Sequence, residues 1–307
     1  MSFFPGQDPE PGDARSCDAV EMLIIPRTSD IGGFEVRRAL PTAKRRLVGP
    51  FIFFDRMGPA VFRAGDAMDV RPHPHIGLST VTYLFDGEIA HKDSLGSDMV
   101  IRPGDINLMT AGRGIVHSER TPQNLRGHER SISGLQTWLA LPDQLEESAP
   151  GFAHTEAAFM PEFSAEGVSG KVVIGDFETM KSPVAVPTGT LYLDIRLEPG
   201  ARFNLPARWE ERAVYVLEGT VEVAGTTFAS DQLLVLNPRD AITFTAGSAG
   251  THLMFFGGDA LNSKRYIWWN FVSSSKERIE QAKEDWKRGR FDIVPGDEEE
   301  FVPLPEG

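Results

Sequence analysis

Two fifteen-residue stretches of this chain share one skeleton: HPHIGLSTVTYLFDG at 73–87 and LPARWEERAVYVLEG at 205–219. Each has proline at its second position, a β-prone apolar run, and a closing glycine, Gly87 or Gly219. His73 falls opposite Leu205, His75 opposite Ala207, and Pro74 opposite Pro206. A unit of strand and turn used twice restricts the chain to a fold that builds the same β structure twice. What the copies share belongs to the fold, and what differs, histidine against leucine and alanine, belongs to function.

The rest of the chain is punctuated in the same way. Segments such as LVGPFIFFDRMGP, MVIRPGDINLMTAGRGIVHSE and SGLQTWLALP are short and bounded by Gly, Pro, Asp or Ser, the residues that set turn geometry. The 22 prolines and 30 glycines are spread over all 307 residues, which suits many short strands better than a few long helices. An all-β architecture of two tandem antiparallel barrels of jelly-roll type is therefore expected. The expected organisation is a metal-binding barrel over 1–142, a linking segment over 143–185, a second barrel without ligands over 186–260, and a C-terminal segment over 261–307. Within that last segment, Ser274 to Lys287 reads as a helix. Ser275 is its N-cap, Glu277 stands in its first turn, and Ile279, Ala282 and Trp286 recur at helical spacing. Residues 1–20, rich in Pro, Gly and Asp, read as an irregular arm, and Asp297 to Glu300 as a solvated acidic surface.

Charge and cysteine content exclude several classes. A formal net charge of -13 argues against direct nucleic-acid binding, which needs a basic patch. The short basic group Lys44, Arg45 and Arg46 is too small to reverse this. Cys17 is the only cysteine, so neither an intrachain disulfide nor a cysteine metal site can form. No secretory h-region and no run of ~18 apolar residues is present, so a cytoplasmic protein without a membrane span is expected.

The chemistry sits in two pairs. Residues i and i+2 of a strand share a face, so His73 and His75 project together, with Pro74 holding His73 extended. Simple parity then puts them on the face of Val81, Tyr83 and Phe85. GRGIVHSE supplies a second such pair, His117 and Glu119. Together the pairs aim three imidazoles and one carboxylate at one point inside a barrel. That donor set suits one divalent transition metal. Iron(II) is the first expectation, with Cu, Ni, Zn and Mn compatible, and open positions remain for substrate or dioxygen. The other histidines lack partners at ligand spacing: His91 reads as exposed near a turn, and His128, His154 and His252 stand alone. Arg113 reads as a turn residue or a nearby charge, and Gln136 as a cross-strand or wall residue. Trp268, Trp269 and Phe271 read as packing for the C-terminal segment.

HPHIGLSTVTYLFDGEIAHKDSLGS, followed by IRPGDINLMTAGRGIVHSE, resembles the pirin family, a branch of the bicupins, and the similarity runs to the IWWNFVSSSKERI ending. The resemblance implies a mononuclear metal, usually iron, on His73, His75, His117 and Glu119, and a metal-free second barrel. Two positions depart from the family pattern. Ile76 stands where family members commonly carry Arg, near the pocket mouth, and Ser79 where they carry Glu, beside the metal.

Two functions follow from the resemblance. The first is a metal-dependent dioxygenase of the quercetin 2,3-dioxygenase type, taking dioxygen and a flavonol-like or enol substrate, with Glu119 as the catalytic base. The second is a non-catalytic, metal- or redox-tuned regulator that binds a protein partner, which the acidic charge favours. Oligomeric state is open to the sequence, since monomers and edge-associated barrels fit it equally.

Overall fold

The computed structural model describes residues 18–31, 34–238 and 240–305; Cys17 and most of the arm read over 1–20 lie outside them. The chain divides into two compact units. One comprises Met1–Thr28, Arg37–Phe53 and Ala158–Ala260, the other Ser29–Val36, Phe54–Ala157 and Leu261–Gly307. No helix among the described residues is long and apolar enough to cross a membrane.

The first unit is built on a nine-stranded antiparallel sheet. Its central strands are Glu211–Val223, Ile242–Gly258 and Thr190–Leu197, and Arg202–Leu205 pairs with the second of these. Alternation turns Val214, Val216, Leu234, Phe244, Leu253, Phe255 and their partners inward to one apolar core. Burying each such side chain contributes roughly 1.5–3 kcal/mol. Leu205, the counterpart of His73, is fully buried in this core. A hydrocarbon there packs where an imidazole would need polar partners.

The second unit holds both histidine pairs. Its four-stranded antiparallel sheet runs in the order Asp69–His75, Ile115–Arg120, Ile89–Asp93, Asp98–Ile101. A seven-stranded sheet carries Gly151–Thr155, Ile106–Thr110, Leu78–Asp86 and Arg130–Ala140 as successive neighbours. Met57, Met68, Leu84, Ile89, Ile101 and Ile132 form the apolar core at one end. The repeated closing glycine has the same cause in both units. Gly87 has φ +82° and Gly219 φ +77°, and a Cβ would lie 2.5 Å from the Ser131 carbonyl oxygen or 2.1 Å from that of Gly250. Only glycine combines that backbone with that approach.

The expected helix is present as Lys276–Lys287. Ser275 caps it, its hydroxyl accepting from the Arg278 amide at 3.2 Å. Ile279 and Ala282 face inward and pack with Ile76 and Phe271, with Trp268 and Trp269 against them, so that Phe271 and this tryptophan pair pack the C-terminal segment as anticipated; Trp286 joins them. Of the acidic segment, Glu298, Glu299 and Glu300 are solvated as expected, while Asp297 is half-buried in an ion pair. Arg120 donates to both Asp297 oxygens at 2.7 and 2.8 Å and to Glu300 at 2.9 Å, and the Val302 amide bonds the Pro72 carbonyl at 2.8 Å.

Candidate metal centre

The two strands carrying the histidine pairs lie side by side, antiparallel, with His117 directly opposite His73. A register shift between His117 and Glu119 places Glu119 against Val70. His73, His75 and His117 are all buried, and one ring nitrogen from each lies within 4.8 Å of the other two. Nε2 of His75 and Nε2 of His117 are 3.1 Å apart. Neighbouring donors on one first-row ion, with bonds of about 2.1 Å, stand ~3.0 Å from each other.

Burial keeps these rings neutral. It pushes His73 down to about 4, against a hydrogen bond to the Arg71 backbone that favours the charged form. Burial also holds His75 and His117 well below the usual imidazole range, reinforced by the neighbouring rings. The Nδ1 of His73 lies 2.8 Å from the Arg71 carbonyl oxygen, so it carries the proton and leaves Nε2 bare. Against that burial, a backbone hydrogen bond at Asn270 favours the charged form of His75. Three buried ring nitrogens that converge, two of them at bond-sharing separation, fit a divalent transition metal.

Of the four residues singled out by spacing, the structure gathers three. The Glu119 carboxylate lies outside the nitrogen cluster, on Gln136, whose Nε2 donates to Oε1 at 2.9 Å and Oε2 at 3.1 Å. The Thr82 hydroxyl lies 3.4 Å from Oε1 and donates to Gln136 Oε1 at 2.8 Å. Burial raises the Glu119 carboxyl above its ordinary value, opposed by His91 and by the bonds from Gln136 and Thr82. Gln136 is therefore the cross-strand hydrogen-bond partner its sequence suggested, facing Thr82.

Several expectations are corrected. The site does not share the face of Val81, Tyr83 and Phe85. Thr82 reaches Glu119, and Trp138, cross-strand partner of Thr80, packs its ring edge-on to His75 at 5.1 Å. The even-numbered residues thus face the histidines, because the turn at Ile76 and Gly77 starts a new strand in another sheet and resets the parity. Ser79 consequently faces away, bonded to the Thr110 hydroxyl at 2.9 Å, so it takes no carboxylate from the centre. Ile76 is buried against Phe271 and Ile279 rather than at a mouth.

His91 is not exposed but 3% accessible, with Nδ1 3.4 Å from His117 Nδ1 and Nε2 3.2 Å from Asp93 Oδ2. Its ring stacks on Phe152 at 4.5 Å. The signal for both was present as His-x-Asp in EIAHKD, the same i, i+2 spacing as the other pairs. The remaining histidines stay apart. His154 bonds Asn107 at 2.7 Å, His252 bonds Asp194 at 2.6 Å, and His128 is exposed. Arg113 is an exposed turn residue, its amide bonded to the Ser148 carbonyl.

Two β units of one pattern, one of them with a buried three-histidine cluster, define a bicupin. Residues 33–139 match the Pirin family and residues 192–292 the Pirin C-terminal cupin domain. A pirin-like protein of Caulobacter vibrioides is 47% identical over 290 residues, covering 94% of this chain and all of that one. Human pirin is 30% identical, over 90% of this chain and 94% of its own. A crystal structure of quercetin 2,3-dioxygenase from Acinetobacter baumannii superposes with a TM-score of 0.86 at 33% identity, over 93% of this chain and 95% of the other. The chain belongs to the pirin family.

Proposed function

We propose that this pirin is a metal-dependent dioxygenase of the quercetin 2,3-dioxygenase type, acting on a flavonol-like or enol substrate. The observation that carries the reading is the pairing of three buried neutral imidazoles with a separate carboxylate of raised pKa. The likeness to the Acinetobacter dioxygenase supports it. His73, His75 and His117 would hold the metal, iron(II) first among the compatible ions. When bound, that metal supplies Lewis-acid and redox chemistry toward an enol oxygen and dioxygen.

The chain's own groups do the rest. Gln136 and Thr82 hold the Glu119 carboxylate beside the cluster rather than within it, so it is positioned to accept the enol proton at Oε1 or Oε2. Release from Gln136 would let the same carboxylate swing in as a fourth ligand. Its raised pKa brings the conjugate acid closer to working pH, which suits a group that takes a proton and returns it. Trp138 packs edge-on against His75, and its apolar ring shields that imidazole from water.

The test is oxygen uptake by the iron-loaded protein given quercetin. Uptake that requires quercetin and is lost in His117→Ala is the expected result. No uptake, from protein confirmed to hold one metal per chain, overturns the flavonol reading and points to the metal-tuned regulator instead.

A further inference from the structure

His117 turns Nε2 toward His75 and Nδ1 away from it, toward His91. Behind His91 stands Asp93, which is fully buried. The three residues lie on two directly paired strands, where His117 faces Asp93 and Glu119 faces His91. Asp93 is fixed independently of the histidines: its Oδ1 accepts the Leu95 amide at 2.9 Å and the Ser97 amide at 3.0 Å. The stacked ring of Phe152 holds His91 in plane.

The protons in this row can be assigned by counting. A carboxylate only accepts, so Oδ2 of Asp93 must receive the proton of His91 Nε2. With its single N–H given to Asp93, the neutral form of His91 leaves Nδ1 a lone pair that can only accept. The group facing it, His117 Nδ1, must therefore donate, which leaves His117 Nε2 bare and aimed into the cluster. Asp93 stays ionised in this role. Burial would raise its pKa, but bonds from His91 and Ser97 hold it below the ordinary carboxylate value. His73 reaches the same state through the backbone, with its Nδ1 on the Arg71 carbonyl.

We propose that Asp93 and His91 are positioning residues that fix the tautomer of His117, keeping its Nε2 a standing lone pair for a divalent transition metal. The inference rests on the reading of His73, His75 and His117 as ligands. A ligand histidine normally hands its second N–H to one carboxylate or carbonyl; here an intervening imidazole passes the polarity along.

Asp93→Asn tests this without changing shape. Its side-chain oxygen can keep the Leu95 and Ser97 amides, which turns its NH2 toward His91 Nε2. The order of protons then reverses: His91 carries its proton on Nδ1, and His117 carries its own on Nε2, where it blocks the metal. Two measurements read the result. Nitrogen-15 NMR of the metal-free protein reports which nitrogen of His117 is protonated, and competition against a chromophoric chelator gives the affinity for nickel(II).

The wild type is expected to show His117 protonated on Nδ1, and Asp93→Asn to show it on Nε2. Nickel binding should weaken about 10–100-fold in Asp93→Asn, the usual effect of losing an outer partner. His91→Phe should weaken it similarly, while His91→Asn, whose carbonyl can stand at the Nδ1 position, should restore it. A merely structural role for Asp93 would leave the His117 tautomer unmoved, and that result overturns the proposal. A wild-type protein that binds nickel but carries the His117 proton on Nε2 when metal-free also overturns it, leaving the metal reading intact. A wild-type protein with the expected tautomer that takes up neither nickel nor iron overturns the metal reading itself, and the proposal with it.

Discussion

At the scale of the residue, burial of three imidazoles has a consequence for acid stability. In the unfolded chain His73 titrates near the ordinary value of 6.5; in the folded, metal-free protein it is pushed down to about 4. Between those values the unfolded chain binds a proton that the folded one refuses, so stability falls as pH drops from 6.5 toward 4. His75 and His117 are shifted in the same direction and add to the slope. Glu119 acts oppositely: its raised carboxyl favours folding below its ordinary value of 4.5, and that contribution fades as pH rises through the folded-state value. Denaturant titrations of the metal-free protein across this window should show the loss, and His73→Leu should flatten it. A profile as steep in that variant as in wild type would count against burial of His73 as a cause. The clustering of His73, His75 and His117 was legible because strand parity needs only two positions, whereas the pull of Gln136 on Glu119 was not. The His-x-Asp spacing of His91 and Asp93 was legible too, but their burial was not, because a buried histidine and an exposed one look alike until Phe152, some sixty residues on, supplies its cover.

At the scale of the element, the strand Ile115–Arg120 carries His117 and then Arg120, and Arg120 ties it to the C-terminal segment through Asp297 and Glu300. Asp297 is only 11% accessible, so removing its partner leaves a carboxylate largely out of water. Arg120→Ala is expected to cost about 1–3 kcal/mol, the range for a lost hydrogen bond to a charged group. A double-mutant cycle with Asp297→Ala, read by chemical denaturation, checks it, and additive losses would remove the ion pair as the reason. This contact was invisible in the sequence because the partners are 177 positions apart, and an acidic run with no local cation reads as solvated. The helix was legible for the opposite reason: Ser275, Glu277 and the Ile279, Ala282 stripe are all local.

At the scale of the whole molecule, the repeat announced the architecture, since in both units an apolar strand runs to a glycine of positive φ packed against a neighbouring carbonyl. It could not announce which face points inward, because one turn between sheets, at Ile76 and Gly77, inverts the parity. If the histidine cluster holds a metal in the folded state alone, metal must stabilise the molecule. Nickel at a hundredfold excess over its dissociation constant adds ~2.7 kcal/mol. Melting temperature should therefore climb with nickel concentration in wild type and stay level in His75→Ala. Equal shifts in both would mean that nickel binds elsewhere.

The division of the chain into its two units also sets an order of events during synthesis. The unit with the histidines takes Phe54–Ala157 from early in the chain and Leu261–Gly307 from late in it. Ile76, next to His75, is covered by Phe271 and Ile279, and Pro72, next to His73, is bonded by Val302. On the ribosome these covering residues emerge only after all of Ala158–Ala260. The part of the protein that begins early is thus finished last, and a nascent chain carries His73 and His75 without this cover until translation has passed them by almost two hundred codons.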